Sequence, residues 1–434
     1  MANAVRVPDD TRSIHNIGNY ILSYQAYQNA FLTALVNRIG RVLVTSRLWE
    51  NPWAVFKKGK LEYGETVEEI FANIAKPHSF NPSKAEKEVF KREIPDVRAA
   101  FHSMNFQKFY KVTITTAQLR QAFLSYGELT DLIARIVDTL STGMQLDEFL
   151  TMKYMLCREA LNGGIYTVVT PAIDGTQDDR ESIIASYREY TNNMKFLKTA
   201  YNRAGVRTST PIDKQVIIMP NKSEAVLGVK VLASAFNIGE VDYISKRIPV
   251  DAWEFDADDE ERLAELFEGD DDYKPFTSTE KTALQNINAA KFDEDWFMVF
   301  DNFEQFTENY NGQGLYWQYF YHVWKTFSVS PFANAIIFTS QKSSITSVTV
   351  SPAAANAAVG TSIAMLADVK GTGLFEKTVT WSIESEQELS ADTAIDATSG
   401  VLHIAKDEAV GATITVKATA KDGKTGTAAI TVTA

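Results

Sequence analysis

The chain has 434 residues, of which 45% are hydrophobic and 23% charged, with a formal net charge of −12. That length suits two domains, and the acidic balance argues against a protein that holds nucleic acid by neutralising phosphates with Lys and Arg. No run of about eighteen apolar residues is present to span a bilayer, and the opening MANAVRVPDD lacks the basic and apolar regions of a secretory leader, so the chain is expected to be made and assembled in the cytoplasm.

In chain order, the first informative stretch is NPWAVFKKGKLEYGETVEEIFAN, Asn51 to Asn73. Gly59 and Gly64 punctuate it like a hairpin, and Trp53, Val55 and Phe56 stand beside Lys57, Lys58 and Lys60. Apolar and basic residues in such a short segment predict a surface that seeks a partner.

A capping box at Thr115 to Gln118 predicts a helix near 116–141. A second helix is expected from Gln145, with Leu146, Phe149, Leu150, Tyr154, Cys157 and Leu161 on one stripe and a stop at Gly163-Gly164. Cys157 is the single cysteine, so no internal disulfide forms, and its place in that pattern predicts a buried thiol. An amphipathic segment, Asp178 to Tyr201, precedes the short buried strand QVIIMP, Gln215 to Pro220, and a further helix from Lys222 to Phe236. The middle of the chain therefore reads as mixed α and β.

Between Asp251 and Asp272, twelve acidic residues face one basic residue, Arg262. Mutual repulsion predicts a solvated surface insertion, a flexible loop in which Leu263, Leu266 and Phe267 could support a short helix. Further on, LYWQYFYHVWKTFSV, Leu315 to Val329, is apolar on both alternating faces and reads as a strand buried from two sides, with His322 packed in a core.

Composition then changes near Ser340 to Ser347. Fifteen aromatic residues lie from Trp296 to Phe338, and only Phe375 and Trp381 follow. The remaining segments, SVTVSP, TVTWSI, TITVKATA and AAITVTA, alternate in polarity between Gly, Asp and Asn clusters, the pattern of a β-sandwich.

A search for chemistry returns no candidate. There is no G-x-S-x-G elbow, no H-E-x-x-H and no C-x-x-C, and the five histidines (His15, His78, His102, His322, His403) are scattered. The glycine fragments at Gly312 to Gly314, Gly371 to Gly373 and Gly423 to Gly426 lack the rest of a phosphate loop and read as turns. No catalytic, cofactor-binding or metal-binding residue is assigned.

Four blocks carry a resemblance: FKKGKLEYGETVEEI (Phe56 to Ile70), EVFKREIPDVRAAFH (Glu88 to His102), DWFMVFDN (Asp295 to Asn302) and GLYWQYFYHVWKTFSVSPFANAIIF (Gly314 to Phe338). In that order they closely resemble the major capsid proteins of phi29-like podophages (Picovirinae). The resemblance implies an α+β tailed-phage capsid fold, the Johnson or HK-97-like fold. It maps an N-terminal arm to 1–48, an extended loop to about 49–100, and peripheral and axial regions to about 101–340. The spine helix would be Gln145 to Gly164, and the axial part would fall largely within 165–325. After a linker at 341–346, residues 347–434 resemble the bacterial Ig-like group 2 (BIG2) family through SVTVSP, VGTS, TVTWSIES, ATSGVLHI and TITVKATAKDG, with Trp381 as core tryptophan in an all-β immunoglobulin-like sandwich.

The resemblance further implies a non-enzymatic subunit that associates with itself into hexameric and pentameric capsomers. Its partners would be a scaffolding protein and a portal or connector, and the shell would enclose double-stranded DNA without sequence-specific binding and without a membrane. An acidic wall that repels phosphate suits that task. Trp53, Phe56, Lys57, Lys58 and Lys60 are the residues expected to touch an adjacent subunit. The Ig-like domain alone would also suit a bacterial surface adhesin, but that reading requires a secretion signal and an anchor, which the sequence does not display.

Overall fold

A computed structural model describes residues 49–61, 66–75, 77, 97–115, 126–232, 246–384 and 389–434. The expected arm, residues 116–118 of the capping box and the start of the first expected helix lie outside the described residues, and Thr115 is the last residue of a strand. Two compact units emerge, one closing with Phe297–Ser330 and the other comprising Tyr154–Trp296 and Pro331–Ala434 together with Asn73–Pro77.

The first unit is built on a four-stranded sheet in the order β1-β9-β10-β4, with β1 Lys57–Lys60, β4 Phe106–Thr115, β9 Phe297–Asn311 and β10 Tyr316–Val329. The hairpin β9–β10 is antiparallel, β4 adds antiparallel to β10, and β1 adds parallel to β9. Residues from Phe297 to Val329, expected in part with an axial region, thus pair with strands of the first unit. Stretches of Tyr, Phe, Trp and Val favour this extended pairing because branched and aromatic side chains pack well on a pleated surface.

Against one face of this sheet lies α1, Tyr126–Leu161, one continuous helix of 36 residues and about 54 Å. Two helices were expected, broken near Ser141 to Met144. Gly143 costs only about 1 kcal/mol relative to Ala in a helix, and burial of Leu140 and Met144 against Trp317, Tyr319, Tyr321 and Val323 outweighs it. The strand β10 is accordingly buried along one face, and on the other it is covered only near Thr326. Its other face, with Phe320 and His322 half-buried, does not form the two-sided core that the unbroken apolar run predicted.

The second unit contains the last residues of α1 and a five-stranded sheet in the order β5-β11-β8-β6-β7, from β5 Tyr166–Val169, β6 Gln215–Pro220, β7 Lys246–Val250, β8 Ile287–Asp293 and β11 Ala335–Thr339. All six residues of β6 are buried, as an apolar run in a central strand requires. Helix α2, Gln177–Asn193, starts at a reciprocal capping box between Thr176 and Asp179 and seats Ile183 and Tyr187 over the sheet, the Tyr187 ring 4.6 Å from that of Phe338. It stops well before Tyr201, because Lys198 turns to bridge Thr208. Helix α3 spans Asn221–Leu232.

The acidic stretch is an ordered element. Helix α4, Ala257–Leu266, is capped by Asp256, and Asp258, Asp259 and Glu260 sit in its first turn, where the helix dipole favours negative charge. Trp253, Phe255, Leu263 and Leu266 are buried beneath it. Tyr154 of α1 meets the rings of Phe267, Tyr273 and Phe276, and Arg158 lies 4.2 Å over Phe276 while pairing with Glu280 of α5, Ser278–Gln285, at 3.0 Å. Four apolar anchors and one stacked cation outweigh exposed charge repulsion that water screens. Cys157 is buried in the same region.

Among the described residues, nine further strands follow β11. They form a β12–β15 pair (Ser344–Ser351, Leu366–Thr372), a sheet in the order β13-β20-β19-β16 (Ala354–Ala358, Thr425–Thr433, Thr413–Ala420, Val379–Ile383) and a sheet in the order β14-β18-β17 (Ser362–Ala364, Val401–His403, Ala394–Ile395). Their shared core draws only on residues between Ile345 and Val432 and includes Trp381. Since β12 begins at Ser344, half of the expected 341–346 linker belongs to a strand.

These strands are seated on the end of α1. Gly164 N–H donates to Glu159 and Gly163 N–H to Ala160, a Schellman stop that places Gly163 at φ +76°. A Cβ there would lie 2.6 Å from Glu376 Cα. Gly163→Ala should therefore destabilise the protein by about 2 kcal/mol or more, from left-handed strain and backbone overlap together. Chemical denaturation should give a lower midpoint at unchanged slope.

Candidate assembly surface

Three features of the first unit converge where the chain enters and leaves its main sheet. The first is an anchor. Asn51 N–H donates to Gln145 Oε1 and its side chain donates to Glu148 Oε1, each at 2.8 Å, fixing the entering chain to α1. A single 3-10 turn, Ala54–Phe56, then drops Trp53 and Phe56 into the core at 0% and 2% exposure. The Trp53 ring sits 5.3 Å from Phe149 and 5.9 Å from Phe297, and Phe56 sits 5.1 Å from Phe297. Both were expected against an adjacent subunit. In this conformation their surface is already consumed by their own chain, since aromatic area of this size is the strongest available local driving force for burial.

The second feature is a buried cluster of four charges from four elements. Lys325 of β10 is fully buried and lies 2.5 Å from Glu148 of α1 and 2.6 Å from Asp301 of β9. Lys57 of β1 closes the cluster at 3.1 Å from Glu148 and 2.7 Å from Asp301. A bulge at Asn302 makes this possible, because it brings Asp301 opposite Lys325 directly after the Phe303–Trp324 pair. A second bulge in β1 sets three steps of chain, Lys57 to Lys60, against two of β9, and Gly59 supplies it at φ +101°. Gly59 thus shapes an edge strand and not the turn of a hairpin. Lys58 is half-buried, and Lys60 is exposed.

Burial pushes the Glu148 and Asp301 carboxyls up, but Lys325 and Lys57 outweigh it and hold both below the ordinary carboxylate range. Burial pulls the Lys325 amine down, and Glu148 and Asp301 reverse that, leaving it raised. Depressed carboxylates stabilise the fold above their unfolded values of about 4 and lose that contribution as pH falls. The raised amine stabilises it below about 10.4 and loses that contribution only in alkali. Stability should therefore be flat near neutrality and fall on acidification. Lys325→Met leaves two buried carboxylates to one cation, so it should cost about 3–5 kcal/mol near neutrality, and because the carboxyls are no longer held low that deficit should shrink as pH falls, as read by denaturation followed by circular dichroism at neutral and acid pH.

The third feature is a pair of exposed apolar faces. Strands β2, Thr66–Ala72, and β3, Val97–Ser103, form an antiparallel two-stranded ribbon. Register puts Glu68, Ile70, Val97, Ala99 and Phe101 on one side, and Ile70, Val97 and Phe101 are 62%, 51% and 67% exposed. On the outer face of the main sheet, Phe303 and Trp324 stack at 4.6 Å, and Phe109, which is 57% exposed, lies 5.9 Å from Phe320 and 5.6 Å from His322. Lys111 stands over the Phe320 ring at 5.7 Å. Sequence reasoning missed Ile70, Phe101, Phe109 and Trp324, because alternation marks two faces of a strand without saying which one is covered.

Among the described residues, no group of three or more His, Cys, Asp or Glu side chains is placed to hold a metal ion, and no helix is long and apolar enough to cross a membrane.

Comparison with known proteins agrees with an architecture made for association. The profile of the family described as Phi29-like phage major capsid protein matches residues 6–339. The major capsid protein of Bacillus phage B103 is 34% identical over 421 residues, covering 95% of this chain and 85% of the relative. That of Bacillus phage GA-1 is 32% identical over 431 residues, covering 96% and 85%. In fold, a chain from the capsid structure of Staphylococcus phage Andhra superposes with a TM-score of 0.52 at 18% identity, over 69% of this chain and 86% of that one. A chain from the structure of the head fiber and inner core protein of native bacteriophage P68 gives 0.50 at 17% identity, over 67% and 85%. The chain belongs to the phi29-like phage major capsid protein family, and its function is to build the capsid of the virion.

Proposed function

We propose that the subunit assembles by laying the exposed face of its β2–β3 ribbon on the outer aromatic face of the main sheet of a second copy. The observation that carries this reading is the coexistence, in one chain, of two apolar surfaces exposed to solvent. A two-stranded ribbon is marginal alone, and exposed apolar patches on a soluble subunit mark association sites. Charge agrees, because the ribbon face carries Glu68 and the sheet face carries Lys111. Lys58 and Lys60, at the foot of the ribbon, add register toward the acidic surface of a neighbour. Each contact is modest, and closure of a shell in which every copy joins several others multiplies modest affinities.

In finer terms, α1 with its sheet is the peripheral region carrying the spine, the five-stranded unit is the axial region, and the ribbon belongs to the extended loop of the tailed-phage fold. Hexameric and pentameric capsomers, a scaffolding protein, a portal or connector and enclosed double-stranded DNA are the partners this reading requires. It requires no catalysis. The strands after Ser343 form an immunoglobulin-like sandwich of the bacterial group 2 (BIG2) type, supported by alternate burial along β19 and by Gly400, where a Cβ would strike the Trp381 ring. On the outer surface of the shell this domain would bridge capsomers.

Ile70→Glu with Phe101→Glu changes exposed positions, so the subunit should keep its melting temperature while negative-stain microscopy of protein expressed with a scaffolding partner finds no shells. Glu68→Lys alone should also block assembly, and Lys111→Glu in the same chain should restore it. Normal particle yield from the Ile70 and Phe101 double variant would reject the ribbon contact. Separately, particles built from a chain ending at Ser343 should melt at a lower temperature than complete ones, and equal stability would count against bridging.

A further inference from the structure

The inner face of the ribbon carries a polar contact that the docking of its outer face leaves unused. His102 is only 2% exposed. Its Nε2 lies 3.2 Å from Glu69 Oε2 across the ribbon, and its Nδ1 lies 2.8 Å from Ser328 Oγ on β10. The Ser330 hydroxyl donates to Glu69 Oε1 at 2.7 Å. A carboxylate can only accept, so Nε2 carries a proton and donates to Glu69, while Nδ1 shares a hydrogen bond with the Ser328 hydroxyl, which can serve as donor or acceptor.

The chain is pinned on either side of this relay. Leu61 N–H donates to the Asp301 carbonyl at 2.9 Å, and Asn105 both donates to Phe327 O and accepts from Phe327 N–H at 2.9 Å. Between those pins the inner face of the ribbon is thinly covered. Val67, Phe71 and Ala100 are half-buried and Arg98 is exposed, which leaves His102 as the one fully buried side chain of the ribbon.

We propose that His102 is a positioning residue for assembly, one that fixes the direction in which the ribbon leaves the sheet and so where Ile70, Phe101 and Glu68 meet the next copy. The inference rests on the docking reading above. Apolar contact is non-directional and would tolerate many ribbon orientations. A ring with two nitrogens, each with its own partner, allows one, because rotating the ribbon away strands buried polar groups on both sides of the contact. Pre-setting the ribbon in the free subunit spares the interface the entropy of ordering it.

The test compares His102→Leu, which keeps most of the volume and loses both hydrogen bonds, with His102→Gln, whose amide can donate to Glu69 and accept from Ser328. In the free full-length subunit, hydrogen exchange of β2 and β3 amides should rise about tenfold or more in His102→Leu, with β10 unchanged and particle yield reduced. His102→Gln should restore both. Unchanged ribbon exchange in His102→Leu overturns the proposal, as does an equal loss of melting temperature in both variants, which would mark a general structural role. Faster ribbon exchange with normal particle yield also overturns it. In that case the Ile70→Glu, Phe101→Glu variant separates the causes: normal yield there places the failure in the docking reading, and blocked yield there places it in His102.

Discussion

The first unit depends on a cluster of two cations and two anions in which Lys325 and Glu148 are buried while Lys57 and Asp301 are 20% and 18% exposed. Glu148 comes from the helix, Asp301 and Lys325 from the central hairpin, and Lys57 from the edge strand. Desolvating four charges is costly, and the geometry recovers that cost only when all four are present at hydrogen-bonding distance. The cluster therefore acts less as a source of stability than as a condition. An arrangement in which β1 is absent leaves two carboxylates to share one buried amine, so the correct placement of β1 is selected over near alternatives.

That condition explains why the ribbon can be exposed without being loose. Trp53 and Phe56 bury the chain before it, the charge cluster fixes the strand at its foot, and the Asn105 side chain mimics a strand pair where the chain returns. The ribbon then emerges from a rigid base. A held base and an apolar open face suit the contact proposed above, because an interface gains from groups that are already ordered before contact.

The second unit solves a different problem. Its sheet is covered by α2, and the acidic stretch is held down by Trp253, Phe255, Leu263 and Leu266 with Arg158 stacked on Phe276. The late strands close a core of their own, and the glycine at the end of α1 allows their backbone to approach within a distance that any side chain would forbid. The 36-residue helix thus supplies Glu148 to one unit and a seat at Gly163 to the other.

Much of this was legible from residues alone. The apolar run Val216 to Pro220 read as a buried strand, the Gly163-Gly164 pair as the end of a helix, and the loss of aromatics after Phe338 as the change from one core to another, because each of these signals is local and carried by side-chain type. Long blocks of rare aromatic residues also pointed to the family. Pairing and facing were decided only in three dimensions. Gly59 was read as a hairpin turn and became a bulge, since the partner of β1 is β9, some 240 positions away. Trp53, Phe56 and Lys57 looked like contacts for a neighbour and were claimed by α1 and β9, while Ile70 and Phe101 were left outside. A period of two says that a strand has two faces; which face meets water depends on what the rest of the chain brings to it.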